Sequence, residues 1–272
     1  MKSIREPAVA GMFYSASPGK LKGDIQLLLD LTRPDELYTG VAGIVSPHAG
    51  YMYSGRTAAY AFNAIGGKNF ETVVIISPSH KEYFQGASIY NGEAYRTPLG
   101  DVPLNKQMIA SLTENNQYIF ESINGHRSEH AVEVQIPFLQ MVMNHFSIVP
   151  IVMGDQRKIF VDILAEKLAE VVDENTLIVA SSDLSHFYTK KEADKLDSII
   201  EERIKNFEFD KLQEDLETEK CQACGGGAIV SMMKAANLIN KRKSKVLSRS
   251  DSGDITGDHS EVVGYLSAIV YS

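Results

Sequence analysis

Two short turns in this chain place a histidine just behind a Ser-Pro pair: Ser46-Pro47-His48 and, one residue longer, Ser77-Pro78-Ser79-His80. Proline restrains φ and biases the residue before it towards extended geometry, so such a turn can present an imidazole rigidly over a cleft. Two near-copies of one turn say more than either alone. The plainer alternative is that both rings cap their loops through hydrogen bonds. A third polar turn, Ser181-Ser182-Asp183-Leu184-Ser185-His186, carries a carboxylate three residues before an imidazole. That spacing lets Asp183 orient or charge-stabilise the ring. Histidine titrates near neutrality, so His186 reads better as a proton-transfer group than as a ligand. Asp183 could instead cap the segment that follows.

Cys221 and Cys224 form a C-x-x-C pair, and Cys224 runs into Gly225-Gly226-Gly227 ahead of an apolar helix. A thiol at a helix N-terminus tends towards a lowered pKa, and the thiolate is both nucleophile and soft ligand. A dithiol redox pair is the other use of the spacing. A small buried cysteine is the ordinary one. In Glu129-His130-Ala131-Val132-Glu133-Val134-Gln135, residues 130 and 133 would share a helical face, where His130, Glu133 or Gln135 could bond to a ligand or substrate. Tyr51 and Tyr53 could line a pocket wall or simply pack. His126 could border the cleft, His145 ends a helix, and His259 is a weaker candidate.

These residues need a scaffold that gathers them. Short apolar runs at 41–45, 72–76, 148–152, 177–180 and 265–271 lack strict alternation. That is the pattern of strands covered on both faces, hence a largely parallel sheet flanked by helices. A further short strand is expected over 87–90. Helical patterns cover 21–31, 55–65, 106–113, 130–143, 160–172, 190–204, 209–216 and 228–239. The result is a single-domain α/β sandwich over residues 1–272. In such sheets ligands bind beyond the carboxyl ends of the strands, and His48, His80 and the 181–186 turn all follow such ends.

The 272 residues, 44% hydrophobic, can bury a substantial core, and no linker or repeat interrupts them. The net charge of -8 argues against nucleic acid as the main partner, since backbone binding needs a dense positive face. The one basic run, Lys241, Arg242, Lys243 and Lys245, reads as a solvated helix end. Two cysteines do not make a disulfide scaffold. No window approaches the roughly 18 apolar residues of a membrane span, and the N-terminus lacks the apolar core of a signal peptide. A cytoplasmic location is expected.

The blocks VAGIVSPHAGYMYSG, VVIISPSH, RTPLG, EHAVEVQIPFLQ, SSDLSH and CGGGAI, in this order from about residue 10 to the last strand, resemble those of the Memo family. That family resembles the class III extradiol dioxygenases, the protocatechuate 4,5-dioxygenase beta-subunit fold. The resemblance implies an extradiol-dioxygenase-like fold. It implies His48 and His80 as imidazole ligands, Cys224 as a thiol ligand, and His186 with Asp183 as the acid/base pair of the pocket. His130 and Glu133 match its helix block. Iron(II) or copper(I) are the implied metals. A cysteine in place of the ring-cleaving enzymes' carboxylate is a softer donor, which favours copper(I) or zinc. Cys221 could pair with Cys224 as a disulfide and so remove the thiolate ligand. The resemblance also implies a functional association with radical-SAM and AMMECR-type proteins, and, from eukaryotic members, phosphotyrosine signalling.

Several functions are compatible with this reading. One is a metal-dependent redox enzyme or oxygenase acting on a small organic substrate. Another is a non-enzymatic scaffold recognising a phosphopeptide or a protein, since fold does not fix function. A third is a protein that sequesters copper or iron. A plain dithiol oxidoreductase leaves the paired histidine turns without a purpose.

Overall fold

The computed structural model describes residues 3–33 and 36–272. In chain order the strands are β1 (Ile4–Arg5), β2 (Gly43–Ser46), β3 (Thr72–Pro78), β4 (Ala87–Tyr90), β5 (Ala94–Thr97), β6 (Gly100–Pro103), β7 (Ile119–Ser122), β8 (Ser147–Met153), β9 (Thr176–Ser181), β10 (His186–Tyr188), β11 (Lys243–Asp251) and β12 (Val262–Tyr271). The helices are α1 (Pro18–Asp30), α2 (Tyr51–Ile65), α3 (Lys106–Thr113), α4 (Ile136–Val142), α5 (Lys158–Val171), α6 (Lys190–Lys205), α7 (Phe209–Glu217), α8 (Gly226–Leu238) and α9 (Gly253–Thr256).

The apolar runs form the centre of a mixed sheet with the order β10-β12-β2-β9-β3-β8-β4-β7, and β11 pairs with β12. Strands β2, β9, β3 and β8 are parallel neighbours, whereas β12 runs antiparallel to β2 and β4 antiparallel to β8. Every residue of β2, β3 and β9 is buried. Helices cover the sheet: α2 packs on β2 and β12, α8 packs on β9, β2 and β3, and α5 and α7 lie against α8. The expected α/β sandwich is therefore present, with antiparallel strands at its margins and an architecture consistent with the extradiol-dioxygenase-like class. A small separate sheet, β1-β5-β6, brings the N-terminal strand beside the RTPLG hairpin.

Local chemistry sets several boundaries. Pro18 opens α1, the Asn105 side chain accepts the Met108 N–H to cap α3, and Thr189 caps α6 with Glu192 reaching back to its hydroxyl. The expected helix over 130–143 is shorter. His130 lies in a turn, a 3₁₀ turn spans Glu133–Gln135, and the helix proper runs only over α4. Residues 130 and 133 therefore do not share a helical face. His145 sits in a bend past that helix and does not end it. The basic run is not a helix end either: Lys243 and Lys245 belong to β11, and Lys245 pairs with Glu36. Strand β11 went unforeseen because KSKVLSRSD has too few apolar residues to show alternation, and its side chains remain mostly half-buried.

Candidate metal centre

Parallel pairing of β2, β9 and β3 puts their carboxyl ends on one rim. His48 follows β2, His80 follows β3, and the 182–185 turn follows β9. The fourth contributor arrives from elsewhere. Cys224 precedes α8, and its turn lies against the end of β9. A Cβ on Gly225 would stand only 2.2 Å from the Ser181 carbonyl oxygen, so that approach requires glycine.

His48, His80 and Cys224 each offer a ligand atom, and the three atoms lie within 4.8 Å of one another. The Cys224 Sγ is 3.1 Å from His48 Nε2. With metal–sulfur and metal–nitrogen bonds of about 2.3 and 2.0 Å, tetrahedral ligand atoms stand roughly 3.5 Å apart, so the cluster needs little adjustment to close on one ion. A second group of His80, Glu129 and His130 is also close enough to hold a metal. There, however, the Glu129 carboxylate is already occupied, accepting the His80 Nδ1–H at 2.9 Å and the backbone N–H groups of His80, His130 and Ala131.

The hydrogen bonds also fix which nitrogen each ring presents. Ser181 Oγ donates to the Ala131 carbonyl and accepts from Gln135 Nε2, so it accepts from His48 Nδ1–H at 2.9 Å. His48 Nε2 is then the lone-pair nitrogen, facing the thiol. Glu129 does the same for His80, which leaves His80 Nε2 free. His186 Nδ1 donates to the Leu184 carbonyl at 2.8 Å, leaving its Nε2 as a base. A ligating imidazole whose other N–H is held by a fixed acceptor is the usual arrangement around a protein-bound metal. These residues fit the metal that the donor set implies.

Burial controls the protonation states. Desolvation, with the neighbouring rings, keeps the fully buried His48 well below the ordinary histidine range, and it lowers His186 as well. Burial brings His130 down to about 4. His80 is raised, because bonding and charge from Glu129 outweigh its desolvation. Glu129 in turn is held down at about 2 by His80 and the backbone N–H groups, against the cost of burial. The Cys224 thiol is pushed up by burial and by Asp183, which corrects the expectation of a lowered thiol: desolvation at this helix start outweighs the helix dipole. The Asp183 N–H does point at its sulfur, at 3.2 Å.

Other expected residues fall in different places. Asp183 does not hold His186. Its carboxyl accepts the His48 backbone N–H at 2.7 Å, and burial raises it to about 7. Asp183, His186, His130 and Tyr53 line the cavity beside the cluster, a space of about 590 Å³. Gln135 supports His48 through Ser181. Glu133 faces the other way: fully buried, it binds Arg5, the Tyr14 hydroxyl and the backbone N–H groups of Ala8 and Val9. It anchors the N-terminal segment and does not line the cavity. Tyr51 packs against Phe138 and donates to the Val134 carbonyl, outside the cavity. Cys221 is a buried free thiol outside the cluster, and Cys224 is free too, so no disulfide joins them. His126 is buried between Tyr95 and the Ser88 carbonyl, away from the cleft. Glu129 was not foreseen. Its only sequence signal is its position next to His130, which says nothing of its reach to His80.

The fold and site together define a chain with a His-His-Cys ligand cluster at the strand ends of an α/β sheet. The chain belongs to the Memo-like protein family, whose model matches residues 5–269. It is 38% identical over 267 residues to MEMO1 family protein TV1383 of Thermoplasma volcanium, covering 98% of each chain. It is 36% identical over 287 residues to MEMO1 family protein MJ0403 of Methanocaldococcus jannaschii, covering 99% of this chain and 100% of that one. Among solved structures, the uncharacterized protein JW3007 of Escherichia coli K12 shares the fold, with a TM-score of 0.54 and 15% identity over 85% of this chain and 99% of that chain. Among the described residues, no helix is long and apolar enough to cross a membrane.

Proposed function

We propose that this Memo-family protein binds one iron(II) or copper(I) ion through His48 Nε2, His80 Nε2 and Cys224 Sγ, and uses it in a redox or oxygenase reaction on a small organic substrate. The observation that carries this reading is the convergence of the three donor atoms, with each ring's second nitrogen already tied to Ser181 or Glu129. The metal would supply Lewis acidity and a site for one-electron chemistry or oxygen. The chain's own residues do the rest. His48 and His80 are pre-oriented, so little entropy is lost on ligation. His186, neutral and with Nε2 free at the cavity wall, accepts or returns a substrate proton. Asp183 fixes the His48 turn through its backbone.

Anaerobic purification with metal analysis and spectroscopy tests this reading, and about one iron or copper per chain with a thiolate-to-metal band is expected. His186→Ala should keep that metal and the fold. Complete loss of metal in that variant would move His186 among the ligands. A wild-type chain that takes up neither metal would remove the proposal.

A further inference from the structure

We infer that the cavity beside the ligand cluster is a receptor for an organic cation, a protonated or quaternary amine carried on an apolar or aromatic body. This deepens the proposed function by naming the substrate class of the same site, and so rests on that site being the working one.

The argument starts from charge. Among the described residues, no lysine or arginine lines the cavity. Two carboxylates, Asp258 and Glu261, stand on its exposed side, while the Asp183 carboxyl at the buried end is given over to the His48 backbone N–H. Neither Asp258 nor Glu261 takes part in an ion pair among the described residues. Lys190, whose backbone N–H donates to the His259 carbonyl, has its ammonium held by Asp251 and Asp254. Asp258 accepts from the Ser260 N–H and hydroxyl, which with His259 beside it keep its carboxyl ionised.

The walls supply the second half. Phe13, Tyr53, Phe187 and Tyr265 surround the space, with Met12 beside them. Aromatic faces attract cations, and carboxylates beside aromatic rings make the usual setting for ammonium recognition. Phe187, at φ 64° in the irregular step of the β10–β12 pairing between His186 and Tyr188, is turned out at the cavity wall with 70% of the residue exposed. At this exposed end an anionic ligand such as a phosphorylated tyrosine would instead meet Asp258 and Glu261, neither of them in an ion pair among the described residues. The ammonium end therefore lies towards Asp258 and Glu261, and the uncharged end reaches the ligand cluster.

The test uses matched probes on the full chain, metal-free and metal-loaded: 2-phenylethylamine, 2-phenylethanol, 3-phenylpropanoate and phenyl phosphate, followed by calorimetry. The amine should bind at least about tenfold tighter than either anion, the scale expected from a cation–π contact with partly exposed carboxylates. The Asp258→Asn/Glu261→Gln double variant should lose most of that preference while its affinity for 2-phenylethanol and its Tm stay the same. Equal or tighter binding of an anion, no binding of the amine, or an unchanged preference in the double variant would each overturn the inference. Because the preference is read in the metal-free chain as well, it can stand if the metal reading fails, and it can fail while metal still binds.

Discussion

The turns that carry His48 and His80 are near-copies in sequence, yet the structure supports them differently. Behind His48 stands a neutral group, Ser181 Oγ, which accepts from both the ring N–H and Gln135 Nε2, all buried. Behind His80 stands a carboxylate, Glu129, which takes both the ring N–H and the backbone N–H of the same residue. One ring is therefore held neutral and deep, whereas the other is drawn towards the cation at the open side, with its side chain 30% exposed. A repeated turn fixes where two imidazoles go, and the partner behind each decides its charge and its strength as a ligand. A carboxylate-backed imidazole is the more basic donor.

The comparison can be broken from the His80 side with the largest effect. Arg5 lies behind this half only: its guanidinium binds the Glu133 carboxylate and the Glu129 carbonyl, and so holds the 129–133 turn in place. Arg5→Met leaves the Glu133 carboxylate buried without its cation, and should cost about 3–5 kcal/mol of stability in urea unfolding. Arg5→Met/Glu133→Gln should recover much of that loss. A single variant as stable as wild type would mean that the pair supports nothing. Next, Glu129→Gln keeps a hydrogen-bond acceptor but removes the charge behind His80, and metal affinity should fall about 10- to 100-fold in an anaerobic chelator competition. Smallest is Ser181→Ala, which removes a neutral partner from His48. A loss of only about three- to tenfold is expected from one neutral hydrogen bond. If Ser181→Ala cost more than Glu129→Gln, the two halves would have been ranked the wrong way round.

The scaffold was legible where burial is simple. The runs at 72–76, 148–152 and 177–180 are apolar but for Thr72 because both faces of β3, β8 and β9 are covered, and helix α3 falls on the expected residues 106–113. The polar ends of parallel strands then predicted a common rim for His48, His80 and the 182–185 turn, and these do meet. What escaped was long-range pairing. Glu133 looked like a cavity residue because helical spacing put it beside His130, but its charge is claimed by Arg5, far away in sequence. Glu129 is not legible either, because its partner His80 is likewise distant in sequence. The pKa direction of Cys224 is not legible because a helix start is visible in sequence whereas the depth of burial above it is not.

The central claim is that the thiol of Cys224, and not the C-x-x-C pair, completes the ligand set. It is tested by titrating copper(I) and iron(II) anaerobically into wild type, Cys224→Ser and Cys221→Ser against a coloured chelator, at pH values from about 6 to 8. Binding in wild type should strengthen as pH rises, because the proton of the buried thiol and that of His80 must leave before both can ligate. Cys224→Ser should bind on the order of 100-fold more weakly with a flatter pH dependence, since a serine hydroxyl stays protonated, while Cys221→Ser should follow wild type. Equal affinities for wild type and Cys224→Ser across that range would contradict the account and leave His48 and His80 in need of a different third ligand.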